Sequence, residues 1–174
     1  MKRVGRVIAR RWAVIALCAL PVLVAAAAPP AQLVELATAR QLRAALQHEH
    51  GKVVALNFWG TWCSPCLREI PELVQLEHEL SPQGMVLIGL AMDEPASFDA
   101  AVRAFHALYF PGFRSYSRNE PEMDTIASVV DPAWNEILPT TYLIARDGAV
   151  VRRIQGRQSA DQFRAALQPL LLAK

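Results

Sequence analysis

Residues 53–66 read VVALNFWGTWCSPC and join an apolar run to two cysteines that are two residues apart. The run Val53–Trp59 is apolar nearly throughout and contains β-branched and aromatic residues, which predicts a central strand buried on both faces. A helix is predicted to begin at the CSPC and to continue to about Leu80, with Pro71 inside it. The two cysteines are therefore expected at a junction between a strand and a helix.

The position of the cysteine pair in the helix predicts different roles for its two members. Cys63 lies at the N-terminal end, where free backbone N–H groups and the positive end of the helix dipole stabilise a thiolate, so Cys63 is the predicted nucleophile. Cys66, one turn later, is predicted to be more buried and to resolve a mixed disulfide. Trp62 offers a flat apolar surface to a partner, and Pro65 removes an N–H that the first helical turn does not use.

Two other uses of the cysteine pair remain open from the residues alone. A static disulfide across so short a loop removes little chain entropy, so it would stabilise the fold only weakly. A metal site would need further ligands, because two thiolates fall short of the four that structural zinc takes. His48 and His50, at the end of the first predicted helix, are interpreted as solvated surface residues.

Residues 1–28 form a leader that differs from the rest of the chain. Five basic residues and no acidic residue are followed by the seventeen uncharged residues Trp12–Ala28. This pattern predicts a signal peptide, with cleavage among the alanines 25–28. The apolar part is also just long enough to remain as an N-terminal membrane anchor. Either outcome would carry the rest of the chain to the periplasm or another extracytoplasmic compartment. If the leader is kept, residues 12–28 would anchor the chain to the inner membrane.

The leader contains the whole basic excess of the chain and one of its three cysteines. Of the 18 Lys and Arg residues five lie in it, which leaves 13 basic against 16 acidic residues in the remainder. A nucleic-acid role driven by a basic surface therefore has no support. Because Cys18 lies in the leader, the remainder keeps only Cys63 and Cys66, which cannot build a disulfide framework and must act on each other or on a partner.

The rest of the chain alternates between predicted strands and helices. Residues 29–37 are expected to be a connector and residues 38–174 one domain. The predicted elements are a helix from Thr38, the strand and helix described above, a strand at Met85–Met92, a helix at Pro95–Leu108, a short strand at FRSYS, a helix at Glu120–Val130, a hairpin of Thr140–Ala145 and Ala149–Gly156 around Asp147-Gly148, and a helix from Ser159. This order indicates an α/β fold whose mixed sheet is covered by helices on both faces.

Several motifs in fixed order carry a resemblance to a known family. These are VVALNFWGTWCSPC, Pro71 five residues after Cys66, and LPTTYLI followed by Asp147-Gly148. Over residues 31–172 the chain resembles the TlpA/ResA-like branch of the thioredoxin-fold thiol–disulfide oxidoreductases. The resemblance implies a thioredoxin-like three-layer fold and a redox-active Cys63–Cys66 disulfide.

The resemblance also implies a substrate-binding rim. It implies a cis peptide bond at Leu138–Pro139, which lies against the disulfide in the family and exposes the Leu138 backbone to an incoming cysteine-bearing strand. Trp62 and Pro65 would lie on the same rim. Trp134 is interpreted either as part of that rim or as a core aromatic residue.

A proton acceptor for Cys66 is expected among the acidic residues. Thioredoxins place an aspartate in the strand before the cysteines, but this chain has Asn57, which cannot titrate. Members of the resembling branch often carry a glutamate after the next strand, and Glu94 matches that placement, with Asp93 as its rival. A partly buried carboxylate there could relay the proton of Cys66. Alternatively, both acids cap the helix predicted from Pro95.

The function implied by the resemblance is that of an exported reductase. Its protein substrates would be disulfides of apocytochrome c CxxCH motifs or of copper-site cysteines, and its electrons would come from an upstream membrane thiol donor. No cofactor, metal or nucleic acid is expected. The residues leave open the direction of electron flow, the client, the donor, the cleavage of the leader and the oligomeric state.

Three alternatives use the same cysteines differently. An oxidase that inserts disulfides runs the chemistry backward; Ser64-Pro65 does not decide the direction, although the short insertion after LIGLAM favours a reductase. A copper or zinc carrier would need His or Met near Pro139, and Leu138 and Thr140 offer neither. A cysteine peroxidase would need a threonine three residues before its thiolate, where this chain has Gly60.

Overall fold

A computed structural model of the chain describes residues 34–173. The predicted signal peptide or membrane anchor, residues 1–28, lies outside the described residues, so the structure does not test it. Within residues 34–173 no helix is both long enough and apolar enough to span a membrane.

A mixed sheet forms the centre of the domain, and its strand order is β1-β4-β3-β2-β5-β6. The strands are β1 Val34–Ala37, β2 Val53–Trp59, β3 Met85–Ala91, β4 Ser115–Arg118, β5 Thr140–Ile144 and β6 Val150–Gln155. Strand β2 pairs in parallel with β3 and antiparallel with β5, and β5 and β6 form the predicted antiparallel hairpin. Every residue of β2 is buried, as expected for a central strand.

Helices cover both faces of this sheet. They are α1 Ala39–His48, α2 Ser64–Leu80, α3 Ala104–Tyr109, α4 Met123–Ala127 and α5 Ala160–Leu172, and a π-helical segment, Phe98–Arg103, leads into α3. Successive side chains of a strand point to opposite faces, so β2 contributes to two core clusters. Val53, Ala55 and Trp59 pack with residues of α2 and α5, whereas the alternate residues Val54, Leu56 and Phe58 pack with residues of α1 and α4.

Local sequence determines where two of the helices begin. Thr38 caps α1, and its side chain accepts a hydrogen bond from the backbone N–H of Gln41. In return, the side-chain oxygen of Gln41 accepts a hydrogen bond from the backbone N–H of Thr38. Ser159 and Gln162 form the same reciprocal capping box at the start of α5. These caps satisfy backbone N–H groups that have no partner inside the helix.

Two predicted boundaries were wrong. The expected connector, residues 29–37, contains β1, which pairs in parallel with β4 and buries Val34 and Ala37, so the folded domain begins before Thr38. The strand was missed because four residues are too few to display a strand period. The helix expected over Glu120–Val130 is limited to α4, because the chain turns after Ala127 and packs Val129 against the core instead.

Candidate active site

The two cysteines form a disulfide at the N-terminus of α2, with their Cα atoms 5.3 Å apart. Cys63 is the N-cap residue of the helix, and its Sγ accepts a hydrogen bond of 3.3 Å from the backbone N–H of Cys66. Cys66 is completely buried, whereas Cys63 keeps a small solvent-accessible area. The order of burial is the expected one, because an attacking sulfur must reach a partner and a resolving sulfur only its neighbour.

The turn before Cys63 is fixed from two sides. The backbone N–H of Cys63 donates to the carbonyl oxygen of Gly60 over 3.0 Å. The buried carboxylate of Asp93 accepts hydrogen bonds from both the backbone N–H and the hydroxyl of Thr61, the former over 3.0 Å. Asp93 therefore ties the turn to the end of β3 and caps no helix.

The Trp62 ring lies close to the backbone of Gly60. A Cβ atom at position 60 would lie 2.9 Å from Cε2 of the Trp62 ring, closer than real Cβ contacts. The Trp62 side chain is 64% exposed and forms an apolar surface beside Cys63. A threonine at position 60, which a peroxidase-type site would need, would therefore require the Trp62 ring to shift.

The partial burial expected of Glu94 was wrong. Its side chain is 73% exposed, and Oε1 accepts a hydrogen bond of 2.7 Å from Nη2 of the buried Arg118. The same guanidinium donates to backbone carbonyl oxygens of Met92, Glu120 and Pro121. Glu94 is thus an ion-pair partner at the surface, and its side chain does not cap the short 3₁₀ segment at Pro95. Its role as a proton relay stays an untested prediction.

A buried carboxylate belongs instead to Glu69 of α2, three residues after Cys66. Oε1 accepts from Nδ2 of Asn57 over 3.1 Å, and Oε2 accepts from the backbone N–H of Gln158 over 2.8 Å. Burial raises the pKa of Glu69 to about 7, and the hydrogen bonds from Gln158 and Asn57 lower it only in part. Such an acid takes up and releases protons around neutral pH.

Asn57 connects three elements at this point. It is fully buried in β2 and also donates from Nδ2 to the hydroxyl of Thr141 in β5, over 2.9 Å. The residue that replaces the titrating aspartate of thioredoxins therefore holds a titrating glutamate on the neighbouring helix.

Glu69 was missed by the sequence analysis, although two signals for it were present. Asn57 is polar in an otherwise apolar strand, and a buried amide needs a hydrogen-bonding partner. Glu69 also shares the helical spacing of the other buried residues of α2, namely Cys66, Ile70, Leu73, Leu76 and Leu80.

The structure separates the expected rim residues into two groups. The Leu138–Pro139 peptide bond is cis, as expected, and the Leu138 side chain packs against the core cluster that contains both cysteines. Trp62 is exposed, and its place on the rim stays a prediction. Trp134, by contrast, is buried and packs edge-on against Phe58 with ring centroids 5.2 Å apart, so it is a core aromatic residue.

Comparison with known proteins agrees with this geometry. The sequence model of the AhpC/TSA family matches residues 24–153. The chain belongs to the AhpC/TSA family. A curated relative, thiol-disulfide oxidoreductase ResA of Bacillus thuringiensis subsp. konkukian, is 35% identical over 120 residues, which are 69% of this chain and 64% of the relative. The ResA of Halalkalibacterium halodurans is 33% identical over 127 residues, 71% of this chain and 67% of the relative. The expected resemblance to ResA-like proteins is confirmed.

Similar solved structures confirm the thioredoxin-like fold. A thioredoxin family thiol:disulfide interchange protein from Chlorobium tepidum superimposes with a TM-score of 0.60 at 24% identity, covering 72% of this chain and 83% of that one. A secreted thiol-disulfide isomerase from Corynebacterium glutamicum gives a TM-score of 0.62 at 24% identity, covering 72% of this chain and 74% of that one.

The chain spans less than two thirds of the length of the first curated relatives, 64% in the case of the Bacillus thuringiensis protein.

Proposed function

We propose that this protein is a thiol–disulfide oxidoreductase that reduces disulfides of partner proteins. The observation that carries the proposal is the Cys63–Cys66 disulfide at the N-terminus of α2, in which Cys63 is slightly exposed and Cys66 is fully buried. Three residues after Cys66 on the same helix, burial raises the pKa of Glu69 to about 7. The name of the ResA relatives, thiol-disulfide oxidoreductase, supports the same chemistry.

The reaction proceeds through two thiol–disulfide exchanges. The Cys63 thiolate of the reduced protein attacks one sulfur of the partner disulfide, so a mixed disulfide forms and the other partner sulfur leaves as a thiolate that takes up a proton. Cys66 then loses its proton and attacks Sγ of Cys63, which releases the second partner thiol. Two electrons and two protons pass to the partner, and the protein is left with the Cys63–Cys66 disulfide.

Glu69 accepts the Cys66 proton in the second exchange. Residues three apart on a helix are neighbours, and both Cys66 and Glu69 are excluded from water, so the carboxylate is the nearby base on the same helix face. A pKa of about 7 lets it bind that proton and return it near neutral pH. This assignment replaces Glu94, whose carboxylate is paired with Arg118 at the surface.

The compartment and the partners follow from the leader and the family. A basic and apolar leader supports action outside the cytoplasm, with residues 12–28 as a possible anchor. Clients of the ResA-like type would be cysteines of apocytochrome c or of a copper site, and a membrane thiol donor would return the electrons. No cofactor takes part in the two exchanges.

The test is the reduction potential of the cysteine pair, measured on the full chain with Cys18→Ala so that only two thiols remain. Equilibration in dithiothreitol and glutathione buffers should give a value near or below about −250 mV, in the range of a reductant such as thioredoxin. A value near about −120 mV would identify an oxidant. If no reversible pair appeared, the thiol–disulfide function itself would be wrong.

Two variants test the assigned roles of the cysteines. Cys66→Ser should accumulate the mixed disulfide with a partner, because nothing resolves it, whereas Cys63→Ser should form none. Equal trapping by both variants would contradict the assignment of nucleophile and resolving thiol.

A further inference from the structure

An apolar groove runs between α2 and α3, and residues that flank the two cysteines in sequence line part of it. We name it the α2–α3 groove. It consists of three adjoining cavities of about 370, 490 and 380 Å³, and Tyr109 lines all of them. Thr61 and Leu67 line the part of the groove nearest the cysteines in sequence, and the far end is lined by Phe113 and His78.

The walls of the groove are almost entirely apolar. Among the described residues that line it none is charged, and the polar ones are Thr61, Gln75 and His78. Two large apolar side chains stand at its edge in contact with water, since Leu108 is 70% and Tyr109 is 59% exposed. A contiguous exposed apolar surface of this kind marks an interaction site.

Small side chains keep one wall of the groove open. Ala100, Ala101 and Ala104 line the cavity next to Thr61, at the passage from the π-helical segment Phe98–Arg103 into α3. π-Helical turns recur at functional sites, where they change the direction in which a helix presents its side chains. Beneath the wall Phe98 and Val102 are buried, so the segment is held by the core.

The groove has the length of a short peptide. From Leu67 to His78 helix α2 rises about 16 Å, at about 1.5 Å per residue. An extended chain rises about 3.3 Å per residue, so about five residues fill this length.

We propose that the α2–α3 groove binds the polypeptide segment that flanks the reactive cysteine of a protein partner, and that this segment carries aliphatic or aromatic side chains. The inference rests on the proposed function and names its substrate class. Continuity with the redox site carries it: Thr61 lies two residues before Cys63 and Leu67 directly follows Cys66, so the segment that carries both cysteines also borders the groove. A charged segment would lose hydration there without an ion-pair partner.

The test compares two synthetic peptides that differ only around one cysteine. Both carry that cysteine as a disulfide with 2-nitro-5-thiobenzoate; its neighbours are Leu and Phe in one peptide and Ser and Gln in the other. The reduced Cys18→Ala chain supplies two electrons per peptide, releasing the coloured thiolate and the peptide thiol. A small aromatic disulfide, which cannot fill the groove, provides the reference rate for the cysteines themselves.

We expect the apolar peptide to react roughly tenfold faster than the polar one, the effect of a contact that contributes about 1.4 kcal/mol. Leu108→Glu should remove this preference, and Ala104→Leu, which fills the groove without adding charge, should reduce it. Leu172→Glu is the matched control, because Leu172 is equally exposed at 70% but lies on α5, outside the groove; it should keep the preference.

The proposal would be overturned if the chain without a groove substitution reduced the two peptides at equal rates. It would also be overturned if the preference for the apolar peptide survived Leu108→Glu and Ala104→Leu. A third result would also overturn it. If light scattering showed that Leu108→Glu converts a dimer to a monomer, and the peptide preference persisted, the groove would bind a second copy of the chain and not a partner peptide. Failure of the reference disulfide to react would instead contradict the proposed function.

Discussion

The side-chain amide of Asn57 donates a hydrogen bond of 3.1 Å to Glu69 inside the core, between the central strand β2 and the helix that carries the cysteines. Both side chains are shielded from water, and burial raises the pKa of Glu69 to about 7. The fold thus retains an acid that titrates near neutral pH on the same helix face as Cys66. The pH dependence of both the reaction and the stability should reflect it.

Glu69→Gln should remove one step from the pH dependence of the thiol–disulfide exchange rate. In the native chain, the rate at which a small disulfide oxidises the dithiol should change with pH, with a midpoint near pH 7. The glutamine keeps the shape and accepts from Asn57, but it cannot take the Cys66 proton. We expect a rate loss of up to about 100-fold around neutral pH, the lower end of the range for proton transfer by a side chain. Tryptophan fluorescence in stopped flow between pH 5 and 9 measures it.

Glu94→Gln is the control for that experiment. Glu94 is exposed and paired with Arg118, so its neutralisation should leave the midpoint in place. If Glu94→Gln removed the titration and Glu69→Gln did not, the relay predicted from the sequence would be right and the one inferred from the buried network wrong.

The same carboxyl group should make the stability of the disulfide form depend on pH. The pKa of Glu69 is higher in the folded chain, about 7, than its ordinary value of 4.5, so the folded state binds more protons between these pH values. The free energy of unfolding should therefore fall as the pH rises through this window, by about 3 kcal/mol in the limit. Urea unfolding at pH 4.5 and 8 should show that Glu69→Gln removes this loss; an identical slope in both proteins would contradict the raised pKa.

Local sequence predicted the parts of the fold and site that depend on neighbouring residues. The strand–helix junction at Cys63, the caps at Thr38 and Ser159, and the Asp147-Gly148 hairpin are all encoded within a few residues. Their physics is short-range: helix ends need partners for free N–H groups, and tight turns need particular backbone conformations.

The features that were missed depend on residues far apart in the chain. Strand β1 is four residues long and exists through pairing with β4, as Val34 with Ser115. Glu94 pairs with Arg118, which lies on β4 and is 24 residues further along the chain, and its side chain stays largely exposed. The burial of Glu69 depends on Asn57 and on Gln158, contributed by distant segments. The spacing of residues in the sequence predicts which face of a helix is buried, but it does not predict which residues contact that face.

Asp93→Ala should loosen the turn that presents Cys63. Its carboxylate accepts two hydrogen bonds from Thr61 and is buried, so its removal leaves the Thr61 N–H without that acceptor. Hydrogen bonds to a charged group contribute about 1.5–3 kcal/mol, and we expect a loss of that size in urea unfolding. Asp99→Ala, which removes a carboxylate that is 83% exposed and paired with Arg103, should cost less than about 1 kcal/mol. Equal losses in the two variants would show that the Asp93–Thr61 contact does not hold the turn.

The two tryptophans considered for the rim, Trp62 and Trp134, should respond in opposite ways to truncation. Trp134 is buried against Phe58, so Trp134→Ala should cost about 3–5 kcal/mol of unfolding free energy. Trp62 is 64% exposed, so Trp62→Ala should change stability by about 0.5 kcal/mol at most. Removing its apolar surface should instead slow exchange with a protein disulfide more than exchange with a small disulfide. If Trp134→Ala left stability unchanged and slowed only the protein reaction, Trp134 would belong to the rim after all, and its contact with Phe58 would carry little energy.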